Sequence, residues 1–246
     1  MFIQWILLIL SGTLISSKWI SNRILGGQTV PIESFPWQAS LQKFGVHWCG
    51  AVIYSEKIVL SAAHCTEHGS PSIFSVRVGS SNCEFGGQVV KVSQILEHED
   101  YDQDDDISND IAVIQLKSTL KMGVGVKPIP LADFSPSPGS SASVSGWGDN
   151  GVDEGSSENL LETTVIIEDW NNCLSSWNGE ITKDMICAIA PGRDSCSGDS
   201  GGPLVSGGKL VGIVSFGAES DDPESPGVYA NVAELKPWIL NAVQRL

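Results

Sequence analysis

The chain has 246 residues, of which 41 % are hydrophobic and only 17 % charged, with 26 glycines and 12 prolines in no fixed period. Such a composition excludes a disordered chain and a collagen-like repeat, and the length permits a core that needs no metal or oligomer to support it. With 14 basic residues against 29 acidic ones the net charge is −15, which excludes nucleic-acid binding by general phosphate attraction and favours basic partners.

The chain opens on the apolar run Met1–Ile15, followed by the small residues Ser16 and Ser17 and then Lys18. This is the length of a secretory signal rather than of a spanning helix, so residues 1–17 are read as a signal peptide and the chain as secreted, with no membrane span elsewhere. Secretion permits disulfides among Cys49, Cys65, Cys83, Cys173, Cys187 and Cys196, although spacing alone does not choose between the pairings.

Short β-rich runs follow at Trp37–Leu41, Cys49–Ile53, Lys57–Ser61, Val76–Val78, Val89–Ile95 and Ile111–Leu116. A Pro/Gly/Ser-rich stretch, Lys117–Ser140, then reads as a crossing between two halves. Beyond it lie runs at Ser141–Ser145, Thr163–Ile167, Leu204–Ser206, Leu210–Phe216 and Val228–Asn231. Many short strands separated by turn residues predict an all-β sandwich or barrel. At the C-terminus Leu235, Ile239, Val243 and Leu246 form the apolar stripe of a short helix, in which Pro237 is expected near the first turn.

Three segments carry chemistry. Leu60-Ser61-Ala62-Ala63-His64-Cys65 places a histidine where a strand runs into a small-residue turn. Asn109-Asp110-Ile111-Ala112-Val113 places an acid before an apolar strand. In Asp194-Ser195-Cys196-Ser197-Gly198-Asp199-Ser200-Gly201-Gly202-Pro203-Leu204, glycines flank Ser200 and allow close backbone approach. In this order the segments resemble the trypsin/chymotrypsin family of serine endopeptidases, trypsin-like subgroup, over residues 24–246.

The resemblance implies two antiparallel Greek-key β-barrels, about 24–125 and 126–246, with a short C-terminal helix. It also implies a catalytic triad of Ser200, His64 and Asp110. A free hydroxyl is a weak nucleophile and needs a base, and imidazole titrates near neutrality, so His64 would take and return the Ser200 proton. Asp110 would be buried and orient His64, and the Gly198 and Ser200 N–H groups would form the oxyanion hole. The Ser215 hydroxyl, in Val214-Ser215-Phe216-Gly217, is expected on Asp110. Residues 18–23 read as an activation peptide, because Arg23 precedes Ile24-Leu25-Gly26-Gly27. Cutting there would free the Ile24 amine to pair with Asp199, and it requires an activating protease.

Asp194 lies six residues before Ser200, the position that in this family floors the pocket for the residue before the scissile bond (P1). An acid there implies Arg or Lys at P1. Ser195, Ser215, Gly217 and Gly227 would line or contact the substrate-binding pocket. The implied partners are protein or peptide substrates, the activating protease and protein inhibitors; a monomer is expected, with neither nucleic acid nor membrane as partner. No cofactor is implied and no metal, since His64, Cys65 and His68 lack a fourth ligand. Calcium at Gly79–Gly87 finds just one acid there, Glu84. His47, His68 and His98 are read as ordinary core or surface residues.

Several positions depart from the family pattern. Cys49–Cys65 and Cys173–Cys187 match two family disulfides, whereas Ala142 and Ser206 replace both halves of a third. Ser220 stands where the partner of Cys196 belongs, so Cys196 and Cys83 are expected to be free or paired between molecules. Phe216 replaces the usual Trp. Acids crowd the loop containing Glu97, Glu99, Asp100, Asp102 and Asp104–Asp106, which the family fold sets at the rim of the cleft. These acids are read either as a steering field for polybasic substrates or as a solvated surface. Two rivals remain open at this point: a catalytically silent homologue that acts by binding, and a protease of altered P1 preference.

Overall fold

The computed structural model describes residues 27–101, 107–148, 157–189, 199–217 and 225–246. After a short strand β1 (Gln28–Thr29) come β2 (Gln38–Lys43), β3 (Val46–Ile53), β4 (Ile58–Ser61), β5 (Phe74–Val78), β6 (Gln88–Glu97) and β7 (Ala112–Leu116). These last six close into an antiparallel barrel in the order β2-β3-β4-β7-β6-β5. Strands β8 (Ser141–Gly146) and β9 (Leu161–Ile167) open the second half, followed by helix α1 (Trp170–Ser176) and strand β10 (Met185–Ile189). Strands β11 (Pro203–Ser206), β12 (Lys209–Phe216) and β13 (Gly227–Asn231) and helix α2 (Val232–Arg245) complete it. The sheet order β9-β10-β13-β12-β11-β8 closes through a β8–β9 pairing into a second barrel. Both barrels expected from the family resemblance are present.

Alternation explains the strands. In β9, Leu161, Thr163, Val165 and Ile167 are buried while Thr164 and Ile166 face outward, the period of a sheet with one covered face. Strand β2 shows the same alternation with both faces covered. Ala39 and Leu41 enter the core of the first barrel, and Gln38, Ser40 and Gln42 are buried as well. The Ser145 hydroxyl of β8 donates to Gln38 Oε1 at 2.7 Å, so part of the polar face of β2 is covered by the other barrel.

Each half is clasped by a terminal segment. Strand β1 leads into the first barrel yet pairs with β9 of the second. Helix α2 follows the second barrel, and its Leu235, Ile239 and Ala242 join the core of the first. The carbonyl of Leu246, directly after the helix, accepts from Gln115 Nε2 of β7 at 2.6 Å.

Three local expectations need correction. The buried face of α2 is Val232, Leu235, Ile239 and Ala242, so the helix begins before the apolar stripe read from the sequence. Pro237 therefore lies in the second turn rather than the first. It gives up one backbone bond there, while the Asn231 carboxamide caps the start by accepting from Ala233 N. Helix α1 and strand β10 had no counterpart among the predicted elements. The α1 sequence, WNNCLSS, is poor in strong helix formers, and the helix is held by its Asp169 cap and by the Cys173–Cys187 disulfide to β10. In β10, MICAI is almost wholly buried and shows no alternation to read.

Candidate active site

The site begins with strand pairing. Strands β4 and β7 are antiparallel neighbours with Ser61 opposite Ala112, so the exit of β4 and the entry of β7 lie at the same end of the first barrel. His64 follows that exit and Asp110 precedes that entry, which brings together residues 46 apart in sequence. His64 Nδ1 lies 2.7 Å from Asp110 Oδ2, and the His64 backbone N–H donates to Oδ1 at 3.0 Å.

A third donor comes from the second barrel. The Ser215 hydroxyl donates to Asp110 Oδ2 at 2.5 Å. Ser215 is the extra residue of a β-bulge, since Val214 pairs with Tyr229 and Phe216 with Val228, and the bulge re-aims its side chain. Asp110 is 1 % exposed, so these three bonds replace its lost hydration. An ionised carboxylate only accepts, so the proton on this face of the ring sits on Nδ1 and leaves Nε2 as the acceptor. The His64 side chain is 24 % exposed, open enough to meet a substrate.

Ser200 reaches the same place through its backbone. Its carbonyl accepts from Gly50 N of β3 at 2.8 Å and lies 3.6 Å from Cys65 Sγ, which in turn lies 3.6 Å from His64 Nε2. Glycine makes this contact between barrels possible. A Cβ on Gly50 would sit 2.7 Å from the Cα of Gly202, and one on Gly202 would sit 2.7 Å from the Asp199 carbonyl. Asp199 is 3 % exposed, and its Oδ1 accepts from Gly148 N at 2.8 Å. A Cβ on Gly148 would come within 2.7 Å of that carboxylate, and one on Gly146 would also collide with it.

Of the other sequence-predicted residues, Gly227 is buried at the start of β13 and Gly217 follows β12. Beside them Trp177 stacks edge-on against Phe216 at 5.1 Å and donates to the Pro226 carbonyl. Arg23, Ile24, Asp194, Ser195, Cys196, Gly198 and Ser220 lie outside the described residues, as do Asp102 and Asp104–Asp106. The disulfides Cys49–Cys65 and Cys173–Cys187 are both formed. Cys83 is a free thiol, 4 % exposed among Ile32, Trp147 and Leu160, and burial pushes its pKa above the ordinary value of 9.0. A sulfur so enclosed is a poor partner for a second molecule.

Among the described residues, the group of close candidate metal ligands is Cys49, His64 and Cys65, and both sulfurs are spent in a disulfide. His68 points into solvent beside Glu67. In the loop after β5, the Arg77 guanidinium donates to the carbonyls of Glu84 and Gly86, so a fixed cation already takes oxygens that a calcium ion would need.

Sequence reasoning missed several supports. Glu97, read from sequence as one of a crowd of acids, accepts from the Thr66 hydroxyl at 2.7 Å and so ties β6 to the turn that carries His64. Glu99 accepts from Trp238 Nε1 of α2 at 2.8 Å, and that bond lowers its pKa. The sequence does not single out Gly50, Gly146 and Gly148, because nothing in a lone glycine tells which distant backbone or carboxylate will approach it.

A buried acid–imidazole pair beside a glycine-flanked serine, at the junction of two barrels, is the arrangement of a serine endopeptidase. The sequence model of the family described as Trypsin matches residues 24–239. Trypsin beta of Drosophila erecta is 46 % identical over 226 residues, covering 90 % of this chain and 89 % of that protein. Trypsin alpha of Drosophila melanogaster is 46 % identical over 231 residues, covering 92 % and 90 %. Among solved structures, neuropsin, a serine protease of mouse brain, superposes with a TM-score of 0.82 at 36 % identity, covering 89 % of this chain and 99 % of its own. The chain belongs to the trypsin family and is a serine endopeptidase.

Proposed function

We propose that the protein is a secreted, trypsin-like endopeptidase, made as a zymogen, that hydrolyses peptide bonds after Arg or Lys. The observation that carries this reading is the Asp110 carboxylate, which receives His64 from one barrel and Ser215 from the other beside the backbone of Ser200.

Ser200 Oγ attacks the scissile carbonyl carbon while His64 Nε2 takes its proton. The carbonyl oxygen becomes an oxyanion facing the N–H groups of Gly198 and Ser200, and one such donor lowers the barrier by roughly 3–4 kcal/mol. Collapse of the tetrahedral adduct breaks the C–N bond, with the His64 proton passing to the leaving amine. Water, deprotonated by His64, then attacks the acyl-enzyme and regenerates the Ser200 hydroxyl. Throughout, Asp110 holds the ring and stabilises the imidazolium.

Asp194 supplies the P1 charge preference, with Ser195, Gly217 and Gly227 shaping its pocket. The short apolar run Met1–Ile15 supports secretion, and among the described residues no helix is long and apolar enough to cross a membrane. Cleavage between Arg23 and Ile24 frees the amine that pairs with Asp199, whose carboxylate is enclosed by backbone at Gly146 and Gly148. The peptidase domain then begins at Ile24.

The test is turnover by protein cut at Arg23–Ile24, on matched peptide reporters with Arg, Lys, Phe or Ala at P1, against Ser200→Ala. Arg and Lys turnover lost in the variant supports the reading. Faster Phe turnover overturns the assigned P1 preference, and silence on every reporter overturns the mechanism.

A further inference from the structure

The segment that ends in Asp110 is fastened from the second half of the molecule at a residue outside the triad. Asn109, directly before Asp110, has a left-handed backbone with φ of 56°, a conformation that asparagine tolerates but does not prefer. Its N–H donates to Asp184 Oδ2 at 2.6 Å, across 75 residues of sequence. Asp184 lies just before β10 of the second barrel and is itself fixed. The Thr182 hydroxyl donates to its Oδ1 at 2.6 Å, and its carbonyl accepts from Asn231 N at 2.7 Å. On the other side, Asn109 Nδ2 donates to the Asp100 carbonyl at 3.1 Å, and Ile111 N donates to the Asn109 carbonyl at 2.7 Å. Asp110 is thus bracketed by two residues whose backbones are tied down, one of them by a charged acceptor, which makes the stronger kind of hydrogen bond.

We propose that Asp184 is a positioning residue of the active site: its carboxylate holds Asn109 in the left-handed conformation and so aims Asp110 at His64. The inference rests on the triad reading above. Both sites where the second barrel grips this segment, Ser215 on the carboxylate and Asp184 on the preceding N–H, then serve one geometry. Releasing Asn109 lets the Asp110 side chain swing, and misplacing a catalytic group by about 1 Å costs on the order of a hundredfold in rate.

The experiment compares wild type, Asp184→Ala and Asp184→Asn, all cut at Arg23–Ile24. Asparagine keeps an oxygen for Asn109 N–H and an amide N–H for the Thr182 hydroxyl, so it is the rescuing variant. Asp184→Ala is expected to lower kcat between about tenfold and a hundredfold with KM within about twofold, and Asp184→Asn to recover most of kcat. A second readout does not need turnover: the downfield proton resonance of His64 Nδ1–H, recorded in a Ser200→Ala background. It is expected to broaden or shift in Asp184→Ala and to return in Asp184→Asn. Wild-type kcat and an unmoved resonance in a folded Asp184→Ala protein, even with a lowered Tm, overturn the positioning role. If the resonance moves in Asp184→Ala and returns in Asp184→Asn while the wild-type protein turns over no reporter, the positioning of Asp110 is sustained and the triad reading is overturned instead.

Discussion

The two sides of the active site are built by opposite means. On the first barrel, His64 and Asp110 are placed by side-chain hydrogen bonds: Asp110 to the His64 ring and backbone, Ser215 to Asp110, and Thr66 to Glu97. On the second, Ser200 is placed by the absence of side chains, with Gly50, Gly201 and Gly202 letting backbone pack on backbone and Gly146 and Gly148 leaving room for the Asp199 carboxylate. The proposed base and its acid need direction, which hydrogen bonds supply. The proposed nucleophile, carried on a loop, needs depth between two barrels, which glycine permits. The first arrangement fails when a polar partner is removed, the second when a single methyl is added.

Removing the proposed reacting groups is the coarsest way to test the contrast. Ser200→Ala and His64→Ala are each expected to lower kcat by about 10⁶-fold, and the double variant to lose hardly more, because the two act as one unit. Steady-state kinetics on the Arg reporter checks this, and losses that multiply would overturn the proposal that the two act together.

Adding one methyl comes next. Gly50→Ala places a Cβ against the Gly202 backbone at 2.7 Å, with no flexible side chain to give way. Activity is expected to fall about a hundredfold as the Ser200 loop is displaced, with stability lower by roughly 1–3 kcal/mol. Chemical denaturation alongside kinetics checks both. A Gly50→Ala enzyme at wild-type activity would show that the barrels are not in close register at this point.

The disulfides allow a sharper comparison. Replacing Cys173 and Cys187 by Ser is expected to cost about 2–4 kcal/mol of stability with kcat nearly unchanged, because this disulfide packs with Ile181, Met185 and Val228. Replacing Cys49 and Cys65 is expected to cost a similar stability, and kcat as well, because Cys65 Sγ touches both His64 Nε2 and the Ser200 carbonyl. Equal kcat in the two variants would deny that contact a role.

Removing one donor from the buried acid is milder. Ser215→Ala leaves Asp110 with the two bonds from His64. The lost bond to a charged acceptor is worth about 1.5–3 kcal/mol, so kcat/KM is expected to fall by about tenfold or more.

The smallest effect is on pH. Burial against Trp238 pushes the His98 pKa below its ordinary 6.5, so the folded protein binds fewer protons than the unfolded chain. Stability from this group is present above pH 6.5 and is lost as pH falls through the depressed pKa. Tm measured across that range is expected to fall on acidification, and His98→Gln to flatten the fall. Asp133, held at about 2 by Lys209 and Lys236, adds its loss only at much lower pH.

Local sequence was enough for most of the strands and for the three chemical segments. The β-rich run Thr163–Ile167 marked β9, and small residues around His64 and Ser200 marked turns. By itself it also determined which groups are available: a serine between glycines, an imidazole after a strand, an acid before one. Which partner each group meets was settled by tertiary structure alone. Gln38 is a polar residue in a predicted strand, and its burial goes with the bond that Ser145 of the second barrel donates to it. Nothing in the sequence singles out Asp184, whose proposed role depends on the loop before β10 meeting Asn109, 75 residues away in sequence. Gly50 and Gly148 gain their meaning from a backbone and a carboxylate that arrive from elsewhere in the chain. Periodicity and turn chemistry are local and can be read from letters. Burial of a polar face, or the space left by a missing Cβ, depends on what packs against it, and that contact exists only after the two barrels close on each other.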